Sequence, residues 1–318
     1  MKTIVTSSVK TASAFIRSGE LVGMPTETVY GLGANVFDED AVKKIFEVKN
    51  RPADNPLIVH VSSYEQIEQL TEKITTNAEK IINNFFPGPI TIVLKKNEVI
   101  SNFVTAGLDT IAIRMPDLEI TTKFIDVCGV PIAAPSANIS GLPSPTSWQH
   151  VYNDLNGKIP CILKGPKCKV GIESTVVDCT SSVPTILRPG SISIDDLRMF
   201  FPRVKIPLQT QNGQMKSPGT KYKHYSPKAK VTLVESKEEL IKIISKSGKK
   251  NFAFIGFEKV FSARKSKIVK SSNDYAHKLF SFFRSCDEIG IERIFCQKVE
   301  EEGIGLALMN RLQKAAYS

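Results

Sequence analysis

Through its first two-thirds this 318-residue chain alternates short apolar runs with stretches of helical period, and few folds accommodate that order. The runs LVGMP (21–25), NPLIVHV (55–61), ITIVLKK (90–96), TIAIRMP (110–116), VPIAAPS (130–136), IPCILK (159–164) and STVVDC (174–179) are too short and too β-branched for helices and read as strands. Between them, DEDAVKKIFEVKN (38–50) and NAEKIINNFF (77–86) carry helical spacing, with Asp38 placed to cap the first. The alternation predicts an α/β fold, a largely buried sheet carrying helices, with ligands bound in loops at strand ends. From about residue 201 the period is lost in a stretch of Pro, Gly and Gln. Beyond it KVTLVE, NFAFIGF, SKIVKS and IERIFCQ read as strands, and 236–247, 273–288 and 303–316 as helices. The expected division is a first domain over 1–206, a linker over 207–229 and a smaller Rossmann-like α/β domain over 230–318.

Composition narrows the function classes. With 42% hydrophobic and 23% charged residues the chain is globular rather than disordered. No apolar run approaches the ~18 residues that span a bilayer, and none follows the opening MKTIVTSSVK, so a soluble, cytoplasmic protein with no membrane association is expected. The cysteines at 128, 161, 168, 179, 286 and 296 form no C-x-x-C pair and read as structural thiols. Residues 1–206 hold 21 basic and 21 acidic side chains, whereas 207–318 hold 21 basic against 11 acidic, so the whole net charge of +10 lies in the C-terminal third. Such a surface suits weak contact with a polyanion such as tRNA, although lysines solvating helix faces explain it more simply. No G-x-x-x-x-G-K-[ST] is present, and Gly31 and Gly33 lack the third glycine of G-x-G-x-x-G. Any use of ATP would therefore proceed without a standard phosphate loop.

Several motifs carry chemistry. MPTETVYGLG (24–33) reads as a strand end followed by a glycine turn crowded with hydroxyls, suited to a small polar ligand. KNRPADNPLIVH (49–60) sets Lys49 and Arg51 beside prolines, an arrangement that fits a phosphate clamp; a solvated Lys–Arg pair satisfying a helix dipole fits equally well. Arg114 ends a buried strand and must be paired or face a pocket. Thr110, Ala112 and Arg114 share a strand face. APSANISGLPSPT (134–146) is a loop of small residues through which backbone N–H groups can approach a ligand. With Arg188 in ILRPG (186–190), four cations stand at element ends in a charge-balanced domain, fitting a triphosphate.

In this order, PTETVYGLG, KxRPxxNPLxxH, PGPxT, RMP, PSANxSGxPSPT, ESTVVD and LRPG resemble the YrdC-type domain of threonylcarbamoyl-AMP synthases. SPGTKYKHYSP (217–227) and EEGIGLALMNRLQKAA (301–316) resemble the linker and extra domain of that family's long form, with Thr220 where methionine is usual. The resemblance spans residues 5–316. It implies a YrdC-type twisted open-sheet domain followed by the smaller Rossmann-like one. It also implies a nucleotidyltransferase that makes L-threonylcarbamoyladenylate and pyrophosphate from L-threonine, bicarbonate or CO2 and ATP, with Mg²⁺ accompanying the nucleotide. The product would pass to the machinery that installs threonylcarbamoyladenosine at position 37 of tRNA. By matching position, the threonine pocket falls on Thr28, His60, Arg114, Ala134 and Ser174. The ATP contacts fall on Lys49, Arg51, Asn55, Thr110, Ser136, Ser144, Arg188 and, in the linker, Tyr225 or His224. No covalent nucleophile, dedicated general base or protein metal ligand is implied, and His60 is assigned to substrate positioning. The linker, with its packed Lys, Tyr and His residues, is expected to fold over the pocket and cover bound nucleotide. An RNA-binding module remains an alternative, as does hydrogenase-maturation carbamoyltransferase chemistry, though the zinc-finger cysteine pairs of the latter are missing.

Overall fold

The computed structural model describes residues 2–206, 225–247 and 251–317; the linker stretch 207–224, and with it His224, lies outside the described residues. The strands of the first sheet are β1 (Ile4–Thr6), β2 (Val22–Met24), β3 (Gly31–Asn35), β4 (Ile58–His60), β5 (Ile90–Lys95), β6 (Thr110–Arg114), β7 (Ile132–Ala134), β8 (Cys161–Leu163), β9 (Thr175–Asp178) and β10 (Thr185–Arg188). They form one mixed sheet in the order β1-β8-β2-β3-β7-β4-β6-β5-β9-β10. Near its centre β4 and β6 run parallel with His60 opposite Arg114, and β7 lies antiparallel on β4 with Ile132 opposite His60. The polar ends of two otherwise apolar strands are thereby brought side by side.

The helix Glu39–Lys49 shows how local chemistry sets the site. Asp38 caps it by accepting from the Ala41 N–H, and Glu39 and Asp40 in its first turn favour the dipole. Ala41, Val42, Ile45 and Phe46 form the buried stripe that docks it on the sheet. It ends at Asn50 in the left-handed region (φ 51), two residues before Pro52. Lys49 and Arg51 are thus delivered to one end of the sheet.

One expectation about this region is corrected. Gly31 and Gly33 lie not in a turn but in β3, antiparallel to β2, with Met24 opposite Gly31 and Val22 opposite Gly33. A Cβ on Gly33 would stand 2.7 Å from Ile132 Cγ2, so the glycines let β3 fit between β2 and β7. The turn itself spans the residues between Met24 and Gly31. Thr26 pins it, its hydroxyl donating to the Val29 carbonyl (2.6 Å) and accepting from the Val29 N–H (3.2 Å).

The second unit is a four-stranded parallel sheet of β11 (Lys230–Val234), β12 (Phe252–Gly256), β13 (Lys265–Ile268) and β14 (Arg293–Gln297), in the order β11-β14-β12-β13. It carries the helices Lys237–Ser247, Ser272–Glu288 and Ile304–Ala316, in keeping with the Rossmann-like expectation. The two units share a core: Val29 and Ile172 of the first join the apolar cluster containing Phe280, Phe283, Leu308 and Leu312 of the second. Backbones approach closely at Gly171 (φ +87), where a Cβ would lie 2.5 Å from the His277 Cα. All six cysteines are buried free thiols. Among the described residues no helix is long and apolar enough to cross a membrane.

Candidate active site

A cavity lies against β4, the end of β6 at Arg114 and the end of β7 at Ala134, walled by the β2–β3 turn, the 134–146 loop, Glu173 and Ser174, Arg188 and Tyr225. Arg114 lines it from the end of β6. Its Nη1 donates to Thr28 Oγ1 (2.7 Å) and its Nε to the Gly88 carbonyl (3.3 Å). Its Nη2 lies 2.6 Å from Glu27 Oε1, a nearly solvent-free ion pair in which neither atom makes a directed hydrogen bond. Arg114 is thus held by a hydroxyl, a carbonyl and a carboxylate in a buried setting. His60 stands alongside with Nδ1 unpartnered. Burial, and secondarily the Arg114 charge, lowers its pKa to about 3, so the ring is neutral at physiological pH.

Two further cations line the cavity. Arg188 donates from Nε and Nη2 to the Ser174 carbonyl (3.1 and 3.0 Å) and from Nη2 to Ser174 Oγ (3.1 Å). Ser174 Oγ also meets Thr91 Oγ1 at 2.8 Å. Arg51 is held by the carbonyls of Asn55 and Pro56 at 3.0–3.2 Å. Burial lowers the Arg51 pKa to about 10 and also lowers that of Arg188. Both cations therefore sit in a medium that an anion would relieve. Tyr225, in the left-handed region (φ 67), is buried against the cavity, stacked on Phe280 at 5.4 Å and 5.7 Å from the Arg311 guanidinium. The next residue is docked by its N–H, Ser226 donating to the Gly141 carbonyl at 2.9 Å.

Of the residues singled out from sequence, Thr28, Arg51, His60, Arg114, Ala134, Ser136, Ser144, Ser174, Arg188 and Tyr225 line this cavity. Three do not. Lys49 is buried and gives its ammonium to the Ser136 carbonyl (2.6 Å) and the Asn138 carbonyl, bracing the small-residue loop. Asn55 contributes the carbonyl that orients Arg51. Thr110 sits at the opposite end of β6 from Arg114. Two residues given no role from sequence belong to the site's frame. Glu173 lines the cavity, and Arg311 of the second unit pairs with it at 3.1 Å. An arginine on the apolar stripe Ala307–Leu308–Leu312–Ala315 of a helix was the available signal for that partner.

A cavity lined by Arg51, Arg114 and Arg188 together with small hydroxyls suits an anionic ligand. Fold and site therefore define an α/β protein whose cavity is built for small anionic ligands. Residues 14–190 match the family described as "Telomere recombination", and residues 192–317 match "Threonylcarbamoyl-AMP synthase, C-terminal domain". A Pyrococcus abyssi threonylcarbamoyl-AMP synthase is 46% identical over 97% of this chain and 94% of its own length. A Bacillus subtilis protein of the same name is 41% identical over 96% and 92%. The crystal structure of P. abyssi Sua5 complexed with L-threonine superposes with a TM-score of 0.93 at 43% identity, covering 99% of this chain and 98% of that one. The chain belongs to the threonylcarbamoyl-AMP synthase family, in its two-domain form.

Proposed function

We propose that the protein makes L-threonylcarbamoyladenylate and pyrophosphate from L-threonine, bicarbonate or CO2 and ATP. The observation that carries this is the single cavity in which Arg114, Thr28 and His60 face Arg51 and Arg188, in a chain similar throughout to proteins of that name. Arg114 would hold the threonine carboxylate, and Thr28 and Ser174 would take its remaining polar groups. The threonine nitrogen bonds to the CO2 carbon and releases a proton to solvent, giving a carbamate. A carbamate oxygen then bonds to the α-phosphorus while the bond from that phosphorus to the bridging oxygen breaks, and pyrophosphate departs with the electron pair. With a pKa near 3, His60 is too weak a base to take the ammonium proton and serves as a neutral hydrogen-bonding group. Arg51 and Arg188 would stabilise charge gathering on the departing pyrophosphate.

Both oxygens of the cavity's Glu173 are engaged, by Ser144 and Arg311. Among the described residues no group of three His, Cys, Asp or Glu could hold a metal. We place the Mg²⁺ that accompanies ATP on the phosphates, as part of the substrate. Released adenylate would pass to the enzymes that transfer threonylcarbamoyl to tRNA, and the basic C-terminal third offers a surface for weak contact with that RNA. Full-length protein given threonine, bicarbonate and MgATP should release pyrophosphate and form the adenylate, detectable by mass spectrometry. Pyrophosphate release that does not depend on threonine would refute the proposal.

A further inference from the structure

Among the places where the two units meet is the loop residue Ser144, whose side chain is almost fully buried and lines the cavity. Its hydroxyl lies 2.6 Å from Glu173 Oε1. Glu173 Oε2 receives the Nε of Arg311, a fully buried side chain from the helix Ile304–Ala316 whose Nη1 is anchored on the Pro189 carbonyl at 2.7 Å. The backbone of the same loop is fixed independently. Arg284, on the helix Ser272–Glu288, donates from Nε and Nη2 to the carbonyl of Pro143 (3.1 and 2.6 Å) and makes a two-pronged pair with Asp154 at 2.9 and 2.7 Å. Two arginines of the second unit thus control the position and the hydrogen bonding of Ser144.

A carboxylate only accepts hydrogen bonds. Burial alone would raise the Glu173 pKa, yet the charges of Arg311 and Arg188 and the Ser144 hydroxyl hold it below the ordinary carboxylate range. Glu173 is therefore ionised, and the O–H of Ser144 must point at it. We infer that Arg311, acting through Glu173, commits the only proton of Ser144, so that Ser144 offers the cavity an acceptor and selects the nucleotide by a hydrogen-bond donor. Phosphate oxygens at neutral pH are acceptors, so Ser144 does not serve the triphosphate. The donors a nucleotide carries are its ribose hydroxyls and the exocyclic amine of adenine, and Ser144 reads one of these. Arg311 is a positioning residue in this arrangement, and the second unit contributes to nucleotide selection without touching the nucleotide through it.

This inference rests on the proposed use of ATP, and its test separates the two. Full-length wild type, Ser144→Ala and Glu173→Gln are compared with ATP, 2′-deoxy-ATP, 3′-deoxy-ATP and the purine riboside triphosphate that lacks the 6-amino group. Each is measured by calorimetric binding as well as by adenylate synthesis, with thermal unfolding as the check on folding. Wild type should disfavour one of the three analogues by roughly tenfold, as for one lost hydrogen bond, and the identity of that analogue names the donor. Ser144→Ala should erase this preference. Glu173→Gln, whose amide can donate as well as accept, should narrow it, and affinity for threonine should change by less than about twofold in both. Equal use of all four nucleotides by wild type, or an undiminished preference in Ser144→Ala, overturns the inference. A wild type that discriminates in binding but makes no adenylate would leave it standing and refute the proposed function instead.

Discussion

The His60 ring reports on its surroundings through its titration. Burial lowers its pKa to about 3, and partial burial, with the Arg284 charge acting secondarily, lowers that of His150 to about 4. In the unfolded chain both revert to about 6.5. Above that pH both states are neutral and the fold loses nothing. As pH falls below it the unfolded state binds protons that the folded state refuses, so stability declines from about pH 6.5 toward the folded values. Each histidine contributes up to about 1.4 kcal/mol per pH unit to that slope. Denaturant unfolding of wild type between roughly pH 5 and 6.5, where carboxylates contribute least, should show the decline. His60→Asn should remove about half of the histidine-borne slope whatever its effect on absolute stability. A slope unchanged in that variant would mean that the ring is protonated in the fold.

At the scale of elements, the cations sit where strands and helices stop, and their attachments predict different phenotypes. Arg51 hangs on the carbonyls of its own loop. Its replacement by Ala should weaken ATP binding by roughly ten- to hundredfold, as for a charge-assisted contact of about 1.5–3 kcal/mol, with threonine affinity within about twofold of wild type. Arg188, at the end of β10, also holds Ser174 by its carbonyl and hydroxyl. Arg188→Ala should therefore weaken both ligands. Calorimetry showing full ATP affinity in Arg51→Ala, or full threonine affinity in Arg188→Ala, would contradict these assignments. The strands and helices were legible because their periods and caps are local: TIAIR is β6 and DEDAVKKIFEVK is the capped helix together with its cap. What was not legible depended on partners remote in the chain. Gly31 and Gly33 suggest a turn until β7 is known to pack against β3. Lys49 suggests a phosphate clamp, and its two hydrogen bonds to the carbonyls of Ser136 and Asn138 become visible only once the loop has folded back on the helix. Glu173 gains significance only from Arg311, 138 residues away.

At the scale of the whole molecule, the question is whether the two sheets unfold as one body. Three features couple them: the buried Arg311–Glu173 pair, the Arg284–Asp154 pair with its hold on Pro143, and an apolar cluster to which both units contribute. The backbone contact at Gly171 leaves no room for even a methyl group. An interface holding two buried arginines cannot open cheaply, because opening either separates the pairs or rehydrates the apolar surface around them. We therefore expect a single calorimetric transition in the wild type, with calorimetric and van't Hoff enthalpies in agreement. Arg284→Ala leaves Asp154 buried without its partner and frees the Pro143 carbonyl, which should cost about 3–5 kcal/mol. Since that loss falls on the junction rather than on either core, the transition should move to lower temperature and broaden or divide as the units uncouple. Two resolved transitions in the wild type would show instead that the units are independent and that the C-terminal arginines merely rest against the first.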